Sequence, residues 1–77
     1  MKAVVWSKYD CSFCDQAKSL LTIKGIEFEE RKIGDGYTRE DLLEAVPTAR
    51  TVPQIFLGDE LVGGFTELKK RLESVDR

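Results

Sequence analysis

Apolar and polar positions along the chain fall into blocks whose period shifts between two and nearly four. Ala3 to Ser7 (Ala-Val-Val-Trp-Ser) is a short continuous apolar run, which predicts a strand buried on both faces. Phe13, Ala17, Leu20 and Leu21 then recur at i, i+4, i+7 and i+8, one stripe of a helix that Gly25 should close as a left-handed cap. Ile26 to Ile33 alternates (Ile26 and Phe28 against Glu27 and Glu29) and predicts a second strand. Thr38-Arg39-Glu40-Asp41 resembles a capping box with Asp in place of Glu; Leu42, Leu43 and Val46 follow as a short helix that stops before Pro47. Pro53 to Leu57 and Glu60 to Val62 predict a hairpin turning at Gly58-Asp59. After Gly63-Gly64, Thr66 is positioned to cap a last helix. Its Leu68, Leu72 and Val75 should face inward, with Lys69, Lys70 and Arg71 toward its C-terminal end.

The predicted order is β-α-β-α-β-β-α. A strand–helix–strand start implies a right-handed crossover and a parallel pair, to which the hairpin adds antiparallel strands. A Cys-x-x-Cys near such a β-α-β unit signals a thioredoxin-like α/β fold: a four-stranded mixed sheet with three helices.

At 77 residues the chain is expected to form one domain spanning 1–77. It would bury only about 60–65% of its unfolded surface. The net charge of −2, with both signs interspersed, argues against nucleic acid as the main partner. No apolar run approaches the roughly 20 residues that span a membrane. The first six residues are too short and too polar afterwards for a secretory signal, so the cytoplasm is the expected compartment. There a structural disulfide is disfavoured, and Cys11 and Cys14 read as metal-binding or catalytic. The chain has no histidine, which removes the commonest metal ligand and the usual general base. Two thiolates alone leave a tetrahedral zinc site half empty unless chains pair.

The cysteines fall where the first strand gives way to the first helix. There, unpaired N–H groups and the positive end of the dipole favour thiolate, the form that attacks disulfides. Cys11 precedes the helix and is the expected nucleophile, with Lys8 adding positive charge and Asp10 and Asp15 opposing it. A lowered but not extreme thiol pKa follows. Cys14, one turn inside, is positioned to resolve a mixed disulfide on Cys11.

Three segments, Cys11-Ser12-Phe13-Cys14, Thr51-Val52-Pro53-Gln54-Ile55-Phe56 and Gly63-Gly64-Phe65-Thr66-Glu67, together resemble the glutaredoxin family over essentially the whole chain. The resemblance implies a glutathione-dependent oxidoreductase that reduces protein disulfides and glutathione mixed disulfides. It implies a cis Val52–Pro53 bond, with Thr51, Val52 and Pro53 presenting backbone groups to the cysteinyl part of glutathione. Gly64, Thr66 and Glu67 would hold the γ-glutamyl end; relatives usually carry Asp where this chain has Glu67. Lys8 would meet the glycyl carboxylate and Phe13, at a position usually held by Tyr, would flank the ligand. Arg50 and Gln54 are secondary candidates, while Trp6 and Phe56 are expected in the core. The implied partners are glutathione and oxidised proteins, ribonucleotide reductase among them, with the chain acting as a monomer. Two alternatives belong to the same family. Ser12, in place of the usual proline, admits a [2Fe–2S] cluster shared by two copies with glutathione. A redoxin served by thioredoxin reductase is the other, although such relatives carry basic and proline residues where this chain has Phe65-Thr66-Glu67.

Overall fold

The computed structural model describes residues 2–75, with side chains through Glu73, so the expected inward face of Val75 lies outside the described residues. Seven elements follow in order: β1 (Lys2–Lys8), α1 (Ser12–Ile23), β2 (Glu27–Ile33), α2 (Arg39–Ala45), β3 (Gln54–Leu57), β4 (Glu60–Gly63) and α3 (Phe65–Val75). The sheet order is β2-β1-β3-β4. β1 pairs parallel with β2 and antiparallel with β3, and β3 pairs antiparallel with β4. This is the thioredoxin-like architecture.

β1 is central, which is why its run is apolar on both sides. Ala3 and Val5 face a core shared with Ala17 and Leu21 of α1 and Leu68 and Leu72 of α3. Trp6 and Val4 face the opposite side, against Leu42, Val46 and Phe56. β2 is an edge strand, and its alternation is blunted: every residue from Phe28 to Ile33 is half-buried. Its charged side chains are absorbed by neighbours. In the parallel register Trp6 lies beside Arg31, whose guanidinium sits 5.4 Å from the Trp6 ring centre.

Local signals were legible where hydrogen bonds are short-range. Gly25 takes φ 72°, its N–H donates to the Thr22 carbonyl, and the Ile26 N–H donates to the Leu21 carbonyl at 2.9 Å, completing a Schellman motif. The Thr38–Asp41 capping box forms in both directions, at 3.1 and 2.9 Å. The last helix differs from expectation. It begins at Phe65, so Thr66 is an exposed first-turn residue and Gly64, not Thr66, occupies the cap. The reason is Glu67, whose carboxylate reaches back to the Gly64 N–H at 3.0 Å. Lys69, Lys70 and Arg71 lie mid-helix and none is in the last turn. Arg71 instead clamps Glu60 of β4 with two bonds of 2.9 and 2.6 Å.

Candidate active site

The chain leaves β1 through Lys8 and Tyr9 and turns at Asp10, whose φ of 56° is left-handed, a conformation Asp tolerates better than most side chains. That turn sets Cys11 at the N-cap of α1 in extended geometry. The Cys14 N–H donates to the Cys11 sulfur at 3.2 Å, and the Asp15 N–H donates to the Cys11 carbonyl at 3.2 Å. The sulfur thus occupies the position of a capping oxygen, facing helix N–H groups. Cys14 is buried at 1% exposure and Cys11 is half-buried, so one sulfur is approachable and the other is shielded. The two are joined as a disulfide, with Cα atoms 5.2 Å apart.

The Val52–Pro53 bond is cis, as expected, and the Val52 carbonyl oxygen lies 3.9 Å from the Cys11 sulfur. Pro53 immediately precedes β3 and is buried. Gln54 donates to the Thr51 carbonyl at 2.8 Å, bracing the loop. From Val52 a groove of about 150 Å³ runs between β1, α2 and the loop before β3. It is lined by Lys8, Arg39, Leu43, Arg50, Thr51 and Val52, among others. Three cations therefore line one partly apolar slot, an arrangement suited to a carboxylate on a small peptide.

Lys8 and Arg50 were legible in the sequence, but Arg39 was not singled out. Its signal was available: a cation one residue past the N-cap of a helix opposes the dipole. Leu43, 39% exposed, lines the same slot and is not a core residue.

On the other side of the cysteines, Phe13 is 57% exposed, and its ring lies 6.1 Å from that of Phe65, tilted by 33°. The pair links the first turns of α1 and α3. Gly64 comes close to the loop before β3: a side chain there would sit 3.7 Å from the Pro53 carbonyl and 3.2 Å from Glu67 Oε1. Trp6 is 2% exposed, as expected of a core residue; Phe56 is only half-buried against the same cluster.

A polar network beneath the active helix was also missed. Ser7, fully buried, donates to Glu30 at 2.6 Å, and Lys18 bridges Glu30 at 2.9 Å and Asp15 at 3.4 Å. Burial pushes the Glu30 carboxyl up, but the hydrogen bonds from Lys18 and Ser7 outweigh this and hold it below its ordinary value. The hydrogen bond to Glu30 raises the Lys18 ammonium above its ordinary value, with burial opposing. Among the described residues no group of three or more His, Cys, Asp or Glu gathers as a metal site, and no helix is long and apolar enough to cross a membrane.

The glutaredoxin family model matches residues 3–62. A probable glutaredoxin of Synechocystis, slr1562, is 41% identical over 68 residues, covering 87% of this chain; the chain spans 62% of that relative's length. Glutaredoxin 1 from Francisella tularensis, solved with cacodylate, superimposes with a TM-score of 0.81 at 32% identity, over 96% of this chain and 94% of that one. A buckwheat glutaredoxin–glutathione complex superimposes at 0.79 with 25% identity, over 94% of this chain and 68% of that one. A capped, disulfide-linked Cys11–Cys14 pair facing a cis-proline loop, on this fold and with this family match, means that the chain belongs to the glutaredoxin family.

Proposed function

We propose that residues 1–77 act as one glutaredoxin domain, a monomeric glutathione-dependent thiol–disulfide oxidoreductase of the cytoplasm. The observation that carries this reading is the Cys11 sulfur at the α1 N-cap, taking the Cys14 N–H and lying 3.9 Å from the Val52 carbonyl at the mouth of the cationic groove. In the reduced protein the same N–H group and the helix dipole stabilise a Cys11 thiolate. That thiolate attacks the glutathione sulfur of a protein mixed disulfide; the old S–S bond breaks, the protein leaves as thiolate, and Cys11 carries glutathione. A glutathione thiolate attacks the sulfur of that bound glutathione, departs as glutathione disulfide and frees the Cys11 thiolate. On a protein disulfide Cys11 instead carries one protein sulfur; the Cys14 thiolate then attacks the Cys11 sulfur, releases the protein thiolate and leaves the Cys11–Cys14 disulfide. Two further glutathione molecules restore the dithiol and depart as glutathione disulfide, so electrons and protons balance.

Lys8, Arg39 and Arg50 suit the glycyl carboxylate. Thr51, Val52 and Pro53 supply the backbone wall, Phe13 is one flank, and Gly64, Thr66 and Glu67 serve the γ-glutamyl end. Oxidised proteins, ribonucleotide reductase included, are the proposed substrates. Ser12 leaves the first helical position free of proline, the one feature that also suits a [2Fe–2S] cluster shared between two copies; the other residues support thiol exchange.

The test is a glutathione-coupled assay on a peptide–glutathione mixed disulfide and on a protein disulfide. Cys11→Ser should lose turnover of both, whereas Cys14→Ser should keep the first and lose the second. Turnover of either substrate by Cys11→Ser would sink the proposal.

A further inference from the structure

Each of the three helices carries an acid in its first turn. In α2 the Asp41 carboxylate reaches back three residues and accepts from the Thr38 N–H at 2.9 Å. In α3 the Glu67 carboxylate does the same to the Gly64 N–H, at 3.0 Å. The acid of α1 is Asp15, directly after Cys14. A carboxylate turned back there would take up the N–H groups and the positive dipole end that favour a Cys11 thiolate, and would raise the thiol pKa by like-charge repulsion.

Asp15 is turned the other way. Its Oδ1 lies 3.4 Å from the Lys18 ammonium, three residues further along α1. Lys18 is itself held from below: its ammonium donates to Glu30 Oε2 at 2.9 Å, and the fully buried Ser7 donates to the same oxygen at 2.6 Å. Two strands under the helix therefore fix where this cation stands. The Lys18 side chain is 23% exposed and that of Asp15 76%, so the acid has room to swing once its partner is gone. The hydrogen bond to Glu30, against the opposing effect of burial, and the contact with Asp15 hold the Lys18 ammonium above its ordinary value, so it stays charged wherever a thiol titrates.

Building on the oxidoreductase reading, we propose that Lys18 is a positioning residue for Cys11: anchored on Glu30, it draws the Asp15 carboxylate down α1, away from the sulfur, and leaves the helix N-terminus to the thiolate. The other charges on the elements that meet at Cys11 are Lys8 at the end of β1, Asp10 in the turn, Arg50 on the loop before β3 and Glu67 on α3. From β2, Lys32 acts on Glu30. A change at Lys18 leaves all of these in place.

The experiment follows thiolate absorbance against pH, at low ionic strength, in the reduced Cys14→Ser protein, which keeps Cys11 as its one thiol. Lys18→Met should raise the titration midpoint by about 0.5 pH unit, a roughly threefold loss of thiolate below the midpoint. In the protein with both cysteines, the acid limb of kcat/KM for a glutathione mixed disulfide should move with it. Lys18→Arg should restore both readings, and Lys18→Gln replaces Lys18→Met if that variant does not fold. In an Asp15→Asn background the Lys18→Met shift should fall to less than about half, because no carboxylate is released. An equal shift in both backgrounds would make Lys18 a plain remote charge and overturn the proposal. So would an unmoved midpoint in Lys18→Met. Failure of the oxidoreductase reading shows separately, as turnover by Cys11→Ser.

Discussion

Arg39 shows how much one residue's position can say. It follows the Thr38 cap directly, with Glu40 and Asp41 in the same turn, so the helix gains nothing electrostatically from a guanidinium there. Its side chain lines the groove with Lys8 and Arg50. Arg39→Ala should leave α2 intact, because the Thr38–Asp41 box does not involve it. KM for a glutathione mixed disulfide should rise about three- to tenfold at low ionic strength, a range fitting one charge-assisted contact at an exposed site. The difference between variant and wild type should shrink with added salt. An unchanged KM at low salt would remove Arg39 from the ligand's path.

At the scale of elements, Ser7, Glu30 and Lys18 join β1, β2 and α1, and so seat the cysteine-bearing helix on the sheet. Glu30 sits below its ordinary value in the fold, whereas an unfolded Glu titrates near about 4.3. Its contribution is therefore present above that unfolded value and is lost as pH falls through the folded one. For Lys18, raised in the fold, the contribution is full below the unfolded value of about 10.4 and fades as pH rises through the folded one. Glu30→Gln should cost about 1 kcal/mol at pH 7, a fall in Tm of about 4–8 °C for a domain this size. The gap to wild type should close as pH drops below about 4. Melting curves from pH 7 to pH 3 give the answer, and a gap that stays constant would show that the charge is not involved.

At the scale of the molecule, the two faces of the sheet are unequally covered. α1 and α3 together seal one face, with Ala17, Leu21 and Leu68 fully buried. The other is roofed by α2, seven residues long with Leu42 its buried residue, and by the loop carrying Val46 and Ala49. Local opening follows buried apolar contact, so backbone amides from 39 to 53 should exchange with solvent faster than those of β1 and α1. The same segment lines the groove, and saturating glutathione should slow its exchange selectively. Hydrogen exchange read by mass spectrometry tests both; uniform exchange across the chain would contradict the unequal roofing.

The amino-acid sequence by itself determined the order of elements, the central position implied by an apolar β1, the helix caps at Gly25 and Thr38, and the cysteines at a strand–helix junction. These depend on side-chain period and on hydrogen bonds spanning a few residues, which a linear chain displays directly. The Thr66 cap failed for a reason at the same range: both Thr66 and the Gly64–Glu67 pair could start the helix, and only the backbone path chose. The rest needed tertiary structure because it couples distant positions. Cys11 meets a carbonyl 41 residues away, and Ser7 meets a carboxylate 23 residues away. Arg39 joins Lys8 in one slot, and Phe13 meets Phe65 across two helices. No local pattern encodes such meetings; they follow from where the packed sheet brings loop ends and helix starts together.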